Sequence, residues 1–391
     1  MNKRRINEIY YFSVSRSDYY ITNNLLRDLA NKTNIKVKTI ITGMHYAKAF
    51  GETKKNIIKD KKISYFNIPV NYENSSFSNK DILKISSNFI KSLSNFIKIK
   101  KPKVIMLLGD RYETFLISYC ATIFKIPIIH LHGGELSLAA YDDSFRHSIT
   151  KMSYWHLAAT ENSKKRIIQL GENKKNVFNV GSLSLDNIER TKILDLDKIS
   201  KKINFNLNNE IVLMTYHPTT LNPDKDLINI KNMITFLKKN DYSVVITSPN
   251  ADSNGLMIKK KILKEIKGLK NFKFIENLGS QIYISIMHYA SFVIGNSSSG
   301  IIESPLVRTP SIDIGDRQKS RERSLTVFNV DGSLKSLNSI LKKIKKIKKN
   351  KIHITSKSFP YFNINPINKA IKIISKLNVP KNNIKNFYDK Y

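Results

Sequence analysis

Two well-separated stretches of the chain concentrate the side chains that could do chemistry. The first includes Asp110, His132, Glu135, Asp142 and Arg146, and it is rich in groups that move protons. Carboxylates and imidazoles that converge in one cleft push one another's pKa values apart, as acid–base pairs require. We therefore expect acid–base catalysis from this stretch. A metal site is the competing interpretation, because the same side chain types are metal ligands, and structural ion pairing is the third.

The second stretch is Gly295-Asn296-Ser297-Ser298-Ser299-Gly300, which follows an apolar run and precedes a short predicted helix containing Glu303. A strand, a Ser/Gly loop and a helix N-terminus together direct backbone N–H groups and the positive end of the helix dipole at an anion. The Glu303 carboxylate could then accept both hydroxyl groups of a ribose. The alternative is that the serines only cap the helix and that Glu303 only offsets its dipole.

Two further side chains lie where they would complete a phosphate site. His217 follows an apolar strand, at the end where open α/β sheets bind ligands, so its imidazole can bind a diphosphate or protonate it as it leaves. A polar loop histidine is the alternative for this residue. Arg16 comes directly after the first predicted strand, where a guanidinium would meet the phosphates from the other domain. The sequence therefore predicts a diphosphate in a cleft between two domains.

The elements that must position these residues alternate along the chain. Short apolar runs, typical of parallel strands buried on both faces, alternate with amphipathic helical stretches, and the pattern restarts after about residue 185. This predicts an α/β fold of two doubly wound, Rossmann-like domains. We expect domains over 1–185 and 186–365, followed by a C-terminal helix and tail over 366–391. The helix is predicted over Pro366–Leu377, packing back across the domain boundary, and the tail is expected to be loose. The predicted strands are Glu8–Val14, Val37–Thr42, Val104–Leu108, Ile126–Leu131, His156–Ala159, Val177–Val180, Ile211–Thr215, Ser243–Thr247, Phe272–Ile275, Phe292–Ile294 and Pro310–Ile314.

Composition excludes several classes of protein. With 41% hydrophobic residues in 391, the chain can build real cores, so global disorder is excluded. The single cysteine, Cys120, excludes an intrachain disulfide framework and a cysteine zinc site. No run approaches the roughly 18 apolar residues of a membrane span, and the first apolar run is too short for a signal peptide. We therefore expect a cytoplasmic protein.

The charge of the chain is strongly positive, with 66 Lys and Arg residues against 31 Asp and Glu residues. Such a balance would suit an anionic partner such as nucleic acid. The lysines are nevertheless spread over the whole chain beside many isoleucines and asparagines, which indicates a compositional bias. The Lys-rich segment 337–351 keeps apolar residues at helical spacing, so a membrane-surface helix is an alternative there to an ordinary helix with a solvated face. We expect neither nucleic acid nor a membrane as a partner.

The motifs, taken in order, resemble those of the hydrolysing UDP-N-acetylglucosamine 2-epimerases of sialic acid and related nonulosonic acid biosynthesis. The resemblance extends over residues about 10 to 330, and the order of the motifs is more specific than any one of them. The matching stretches are Arg16-Ser17-Asp18-Tyr19, Gly109-Asp110-Arg111, His130-Leu131-His132-Gly133-Gly134-Glu135, Asp142-Asp143-Ser144-Phe145-Arg146-His147-Ser148-Ile149-Thr150-Lys151, His217-Pro218-Thr219-Thr220, Ile294 to Gly300 with Glu303, and Thr309-Pro310 through Gly315-Asp316-Arg317-Gln318-Lys319-Ser320-Arg321-Glu322.

The resemblance implies a GT-B fold with the active site in the inter-domain cleft and UDP held mainly by the second domain. Asp110 would be a principal proton-transfer residue. His132 stands where some relatives have a glutamate, so the base that removes the C2 proton stays open among the four catalytic candidates. These candidates are Asp110, His132, Glu135 and Asp142. The residues implied in binding the UDP-sugar are Arg16, Arg111, Arg146, His217, Ser297, Ser298, Gly300 and Glu303.

The implied reaction removes the C2 proton of UDP-N-acetylglucosamine, or of a 4-amino or 4-acetamido 6-deoxy analogue, while UDP leaves C1. Water then adds to the 2-acetamidoglucal intermediate, which gives UDP and a free 2-epimer of the N-acetylmannosamine type. The departing diphosphate needs cationic stabilisation, whereas no metal or other cofactor is implied. A homo-oligomer is expected. The alternatives are a non-hydrolysing 2-epimerase, a GT-B glycosyltransferase and, more remotely, a nucleic-acid-binding protein.

Overall fold

The structure is a computed structural model, and it describes most of the chain. The described residues are 5–48, 51–60, 63–73, 75–137, 141–219, 223–249, 254–347, 352, 355, 358–381 and 385–389.

The first half of the chain forms a seven-stranded sheet in which every pair of neighbours is parallel. Its order is β3-β2-β1-β4-β5-β6-β7, so the direction of winding reverses between β1 and β4. Ligands bind beyond the carboxyl ends of the strands at such a reversal. The strands are β1 (Glu8–Ser13), β2 (Lys36–Ile41), β3 (Ser64–Asn67), β4 (Ile105–Leu108), β5 (Ile128–Leu131), β6 (Trp155–Ala158) and β7 (Val177–Asn179).

The second half repeats this plan with a six-stranded parallel sheet in the order β10-β9-β8-β11-β12-β13. Its winding reverses between β8 and β11, the two strands that precede His217 and the Ser/Gly loop. The prediction of two doubly wound α/β sheets is confirmed. The strands are β8 (Ile211–Thr215), β9 (Ser243–Thr247), β10 (Phe272–Ile275), β11 (Phe292–Gly295), β12 (Ser311–Ile314) and β13 (Val327–Val330).

Helices connect the strands and cover both faces of each sheet, as right-handed crossovers between parallel strands require. The helices are α1 (Arg16–Lys32), α2 (Lys54–Ile58), α3 (Asn79–Lys100), α4 (Tyr112–Ile123), α5 (Asp142–Met152), α6 (Glu161–Gln169), α7 (Ser184–Arg190), α8 (Leu196–Ile203), α9 (Pro223–Lys239), α10 (Gly255–Glu265), α11 (Gly279–Tyr289), α12 (Ser298–Leu306), α13 (Leu334–Ile344) and α14 (Pro366–Ile374).

Two strands were not predicted from the sequence, and both lie at the edge of a sheet. Strand β3 has no buried residue, and β13 has one. An edge strand is covered less completely than a central one and needs no continuous apolar run, so the signal that identified the central strands is missing from these two.

The Lys-rich helix α13 is an ordinary packed helix. Its apolar side chains Leu337, Ile340, Leu341 and Ile344 are buried in the core beside β8 and β11. This apolar face therefore faces the sheet, which contradicts the alternative of a membrane-surface helix. Among the described residues, no helix is long and apolar enough to cross a bilayer.

The end of the chain returns to the first sheet. Ile367, Ile371 and Ile374 of α14 lie in the same buried cluster as Ile9 of β1 and Leu25 of α1. The described part of the tail is also attached, contrary to the expectation of a loose tail. The Lys385 Nζ atom lies 2.6 Å from a carboxylate oxygen of Glu172, and the Tyr388 backbone N–H donates to the Gly171 carbonyl at 3.1 Å.

Candidate active site

A cavity of about 600 Å³ lies at the carboxyl ends of both sheets. Its walls come from the loops after β1, β4 and β5 of the first sheet and after β8, β10, β11 and β12 of the second. This volume lies within the range of about 300–1,000 Å³ that is typical of small-molecule sites. The cavity brings together all the predicted site residues except one. These residues are Arg16, Asp110, Arg111, His132, Glu135, Asp142, Arg146, His217, Ser297, Ser298 and Glu303.

Gly300 is the exception, and it does not line the cavity. A Cβ atom at this position would lie only 2.7 Å from the Ser311 Oγ atom of β12. The glycine therefore lets α12 pack closely against the sheet, and the structure gives it a packing role where a substrate-binding role was expected.

The Ser/Gly loop directs the start of α12 into the cavity. Gly295 has φ of 139°, and a Cβ atom there would overlap the Thr215 carbonyl of the neighbouring strand, so only glycine fits this strand end. Ser297 is the N-cap of α12, and its Oγ atom accepts a hydrogen bond from the Ser299 N–H at 3.3 Å. Capping and ligand binding are thus compatible, because Ser297, Ser298 and Ser299 also line the cavity.

Asn296 organises this end of the cavity and was not recognised from the sequence as a functional residue. Its buried side chain makes two hydrogen bonds to the His217 backbone, accepting from the N–H at 2.7 Å and donating to the carbonyl at 2.8 Å. Its own carbonyl accepts from Arg317 at 3.2 Å and from the Gln318 amide at 3.1 Å. A single asparagine in a polar loop gives no sequence signal for contacts with two distant segments.

His217 is buried and surrounded by cations. Burial lowers the pKa of its imidazole well below the ordinary value, and Arg317, Arg16 and Arg111 lower it further. The ring is therefore neutral in the free protein. A diphosphate bound beside it would reverse the local charge and favour the protonated ring.

Arg16 joins the two halves of the chain. Its guanidinium donates to the backbone carbonyl of Glu276, after β10, at 3.2 Å. The loop that presents it is fixed by Asp18, whose carboxylate accepts from the backbone N–H groups of Val14 at 2.7 Å and Ser15 at 2.8 Å. The capping box of α1, between Ser15 and Asp18, is thus the local sequence feature that positions this guanidinium.

Glu303 lies one turn into α12 and is only 7% exposed. Burial raises the pKa of its carboxyl to about 7, and a hydrogen bond from the Ser184 side chain opposes this shift. The ring hydroxyls of Tyr20 and Tyr283 lie near enough for Glu303 to raise their pKa values beyond the effect of burial. A buried carboxylate with few donors gains hydrogen bonds from a ligand that brings hydroxyl groups.

At the other end of the cavity, Asp110 forms an ion pair with Arg146. Arg146 is almost completely buried and also donates to the Glu135 carbonyl and to the Ser137 Oγ atom, both at 3.0 Å. It therefore ties the loops after β4 and β5 to α5. The Asp110 side chain is 23% exposed, so part of this carboxylate faces the cavity.

Glu135 forms an ion pair across the cavity. Its Oε2 atom lies 2.9 Å from a guanidinium nitrogen of Arg321, which comes from the loop after β12. Among the described residues, the buried Oε1 atom has no hydrogen-bond partner. Burial raises the pKa of Glu135, and the Arg321 charge opposes this shift.

His132 has a strained backbone at the end of β5. Its φ of 58° lies in the left-handed region, which costs a non-glycine residue about 1–3 kcal/mol and clusters at functional sites. Its Nε2 atom accepts from the Leu183 backbone N–H at 3.4 Å. Burial lowers its pKa to about 4, and Arg321 adds to this shift, so the ring is neutral near pH 7 with its proton on Nδ1.

Two further predicted site residues, Asp142 and Arg111, lie at the cavity wall. Asp142 begins α5, lines the cavity and lies near enough to Arg321 to help raise the pKa of that guanidinium. The Arg111 Nε atom donates to the buried Glu113 carboxylate at 3.1 Å, which orients its guanidinium at the cavity wall.

Two histidines of the same motifs are not part of the cavity wall. The buried His130 ring donates from Nε2 to the Gly109 carbonyl at 2.8 Å and joins the ends of β4 and β5. The His147 Nε2 atom lies 3.6 Å from Asp143 on the same helix. Within the described ranges, no three His, Cys, Asp or Glu side chains converge to form a group that could hold a metal ion.

A family model described as UDP-N-acetylglucosamine 2-epimerase matches residues 27–375. This chain belongs to that family. Among curated relatives, the GDP/UDP-N,N'-diacetylbacillosamine 2-epimerase (hydrolyzing) of Campylobacter jejuni is 40% identical over 88% of each chain. Polysialic acid biosynthesis protein P7 of Escherichia coli is 35% identical over 98% of this chain and 97% of its own. The UDP-N,N'-diacetylbacillosamine 2-epimerase (hydrolyzing) of Legionella pneumophila is 31% identical over 83% of this chain and 85% of its own.

Solved structures of other 2-epimerases share the fold. The Neisseria meningitidis UDP-GlcNAc 2-epimerase bound to UDP-GlcNAc superposes with a TM-score of 0.79 at 20% identity, covering 95% of this chain and all of that one. The Methanocaldococcus jannaschii UDP-GlcNAc 2-epimerase gives 0.78 at 17% identity over 94% and 99%. These matches confirm the expected GT-B type of fold.

Proposed function

We propose that this enzyme is a hydrolysing UDP-N-acetylglucosamine 2-epimerase. It converts UDP-N-acetylglucosamine, or a 4-amino or 4-acetamido 6-deoxy analogue, and water into UDP and the free 2-epimer. The observation that carries the proposal is one cavity in which a helix N-terminus, cationic side chains and a buried glutamate face a cluster of carboxylates and a neutral histidine. The hydrolysing relatives from Campylobacter and Legionella support the type of reaction.

The second sheet supplies the nucleotide end. Ser298, at the N-terminus of α12, faces the diphosphate together with Arg16 and His217, and Ser297 contacts the nucleoside. Glu303 accepts the ribose hydroxyls, which satisfies its buried carboxylate. Cationic groups around the diphosphate stabilise the negative charge that develops on it as the bond to C1 breaks. This is needed because the C2 proton is not acidic, so C–H cleavage is feasible only when C1–O cleavage accompanies it.

The first sheet supplies the acid–base end. A base takes the C2 proton, the C–H electron pair forms the C1=C2 bond, and the C1–O pair leaves with UDP. Hydration then delivers a proton to C2 and hydroxide to C1. Inversion at C2 requires that the proton leaves from one face of the ring and returns to the other, so two acid–base groups must flank the sugar. We assign the principal proton transfer to Asp110. The second acid–base group is one of His132, Glu135 and Asp142.

We also propose that the enzyme acts in the cytoplasm as a homo-oligomer in the making of a nonulosonic acid for a surface polysaccharide. The name of the Escherichia coli relative supports this pathway. The division into domains over 1–185 and 186–365, with residues 366–391 returning to the first domain, belongs to the same proposal. Packing of α14 against β1 and α1 supports it.

The test is incubation with UDP-N-acetylglucosamine, and separately with UDP-N,N'-diacetylbacillosamine, in deuterated water. We expect free 2-epimer carrying one deuterium at C2, together with UDP, measured by ¹H NMR and mass spectrometry. A product that keeps UDP would identify a non-hydrolysing epimerase. Turnover without deuterium at C2 would exclude proton abstraction and favour a glycosyltransferase, which does not exchange this proton.

A further inference from the structure

The loop after β12 reaches from the second sheet to the first. We call residues Gly315–Arg323 the β12 loop. Near its end, Arg321 pairs with Glu135 at 2.9 Å. The next residue, Glu322, accepts hydrogen bonds from Thr160 Oγ1 at 2.5 Å and from Asn162 Nδ2 at 2.8 Å, at the start of α6. Two adjacent residues of the second domain are thus fixed to the first.

The beginning of the β12 loop is fixed to the nucleotide end. Arg317 and Gln318 donate to the Asn296 carbonyl at 3.2 and 3.1 Å, and the Asn296 side chain holds the backbone of His217. The loop therefore connects the segment that faces the diphosphate with the carboxylate of Glu135 through a continuous set of contacts.

Arg321 is the cation that the acid–base end receives from the other domain. Its side chain is only 10% exposed, and it pairs with a carboxylate that is 5% exposed. A smaller cavity of about 360 Å³ adjoins the first, and Glu135 and Arg321 line both, so the pair forms part of the wall between them. The charge of Arg321 also acts on His132 and Asp142.

The surroundings of Glu135 define what Arg321 contributes. In addition to Arg321, four charged or titratable groups face Glu135. They are Glu322 of the β12 loop, Arg166 of α6, Arg146 of α5 and Tyr361. Arg146 contacts the Glu135 backbone carbonyl. The ion pair to the carboxylate itself comes from Arg321 at Oε2, and among the described residues Oε1 has no hydrogen-bond partner.

We propose that Arg321 is a positioning residue that completes the acid–base end from the nucleotide-binding domain, by holding Oε2 of Glu135 and leaving Oε1 to the sugar or the water that adds to it. The proposal rests on the proposed function. It implies that the acid–base set is complete only while the β12 loop is docked on the first domain. Elimination is then restricted to the arrangement in which the β12 loop is docked and the diphosphate is held.

The decisive variant is Arg321→Met, with Arg321→Lys as the conservative change and Lys319→Met as the matched control. Lys319 lies on the same loop, is 62% exposed and pairs only weakly with Asp316 at 3.5 Å, so its variant should keep wild-type activity. Removing the Arg321 charge leaves the buried Glu135 carboxyl without its main opposing cation, which raises its pKa further. Because Glu135 acts as the carboxylate, the acidic limb of the kcat/KM profile should move to higher pH by about one unit.

We expect Arg321→Met to lower kcat by about 100-fold, which is the size of effect expected when a positioned acid or base is lost. UDP affinity, measured by calorimetry, should change less than threefold. Arg321→Lys should restore the acidic limb in part. Combined with Glu135→Gln, Arg321→Met should add little, because both changes remove the same interaction. An unmoved acidic limb, additive effects, or a loss of UDP affinity as large as the loss of kcat would overturn the proposal.

A second readout is independent of turnover. The Glu135 carboxyl can be titrated by ¹³C NMR, with its resonance assigned from the Glu135→Gln spectrum. Its pKa should rise in Arg321→Met and return toward the wild-type value in Arg321→Lys. No change would overturn the proposal even in a folded variant. Wild-type enzyme that releases no free 2-epimer would instead contradict the proposed function while leaving this titration decisive for Arg321.

Discussion

The two ends of the cavity are held by different forces. At the nucleotide end, hydrogen bonds to backbone groups dominate: the Asn296 side chain makes two to the His217 backbone, and Ser297 caps α12. At the acid–base end, ion pairs dominate, with Asp110 on Arg146 and Glu135 on Arg321. One end is a set of fixed donors, and the other is a set of charges whose balance changes when a proton moves.

Both ends of the cavity hold buried polar atoms that have no hydrogen-bond partner among the described residues, and Arg317 Nε and Gln318 Oε1 are examples at the nucleotide end. The acid–base end adds a strained backbone. His132 has a left-handed backbone, and within the described residues Glu135 Oε1 and Arg321 Nε are buried without hydrogen-bond partners. Each such buried polar atom costs about 1–3 kcal/mol. Strain of this kind persists where the surrounding structure enforces it and the reaction needs it. The comparison therefore rests on the kind of contact at each end, fixed donors at one and ion pairs at the other, and single substitutions can separate the two.

The largest expected effect comes from Asp110→Asn, which removes a carboxylate from the reactive end without changing its size. Turnover should fall by about 10²- to 10⁴-fold, the usual contribution of a positioned acid or base. UDP affinity, measured by calorimetry, should stay within threefold of the wild type, because the nucleotide end is untouched. Arg146 keeps its contacts to Glu135 and Ser137, so the variant should fold.

Asp143→Asn is the matched control for Asp110→Asn. Asp143 accepts from the Ser137 backbone N–H at 2.7 Å and does not line the cavity, so its loss should affect stability more than turnover. If Asp110→Asn kept its turnover and lost UDP binding, the assignment of the two ends would have to be reversed.

How much of this arrangement follows from the sequence differs between the two ends. His217, the Ser/Gly loop and Arg16 each follow an apolar strand, and parallel strands bring such loops to one edge of the sheet. Their convergence was therefore predictable. Arg321 carries no such signal as a partner of Glu135, because nothing in a linear pattern specifies which basic side chain of one domain reaches a carboxylate of the other. Asn296 was missed for the same reason.

The sequence also could not separate lining residues from packing residues within one motif. His130 and His132 are two residues apart on β5 and just beyond it, yet the first bonds to the Gly109 carbonyl and the second lines the cavity. Alternation along a strand would place residues two apart on the same face, and the left-handed backbone at His132 breaks this pattern and directs the chain into the cavity. Gly300 was assigned to ligand binding by its motif, although its closest neighbour is β12.

Glu303→Gln sharpens the comparison at the nucleotide end, with a smaller effect. Hydrogen bonds to a charged acceptor contribute about 1.5–3 kcal/mol each, so UDP affinity should fall by about 10- to 100-fold. Turnover at saturating substrate should change little. Calorimetry and steady-state kinetics separate the two quantities. Glu189→Gln, at an exposed position on α7, is the control and should change neither.

The same variant has an opposite effect on stability. The pKa of Glu303 in the folded protein is about 7, above its value in an unfolded chain, so the ionised form destabilises the folded state. This cost is complete above pH 7 and disappears as the pH falls toward 4.5. Free Glu303→Gln protein should therefore be more stable than the wild type at pH 8, by up to about 3 kcal/mol, and lose this advantage near pH 4.5. If the variant were less stable than the wild type at pH 8, the idea that Glu303 is kept for binding at a cost in stability would be wrong.

The smallest expected effect on turnover comes from the far end of α5, the helix whose first turns carry Asp142 and Arg146. There Lys385 Nζ donates to the backbone carbonyls of Lys151 at 2.7 Å and Ser153 at 2.5 Å, and it pairs with Glu172. A cation at a helix C-terminus satisfies carbonyls that lack intrahelical partners. Lys385→Met should lower the free energy of unfolding of the first domain by about 2 kcal/mol, whereas kcat should change less than threefold.

Urea denaturation measures this effect. The control is Lys376→Met, which removes a lysine from an exposed position near α14 and so matches the change in charge.

The stabilisation should also depend on pH. Burial raises the pKa of Glu172, but His156, Lys385 and Lys151 outweigh it and bring the pKa below 4.5. The stabilisation from this carboxylate is thus present above pH 4.5 and is lost as the pH falls through its folded pKa. The difference between wild type and Lys385→Met should shrink accordingly in acid. A large loss of kcat would instead place the tail among the elements that set the reactive end, since loosening the last turn of α5 would then displace the carboxylate in its first turn.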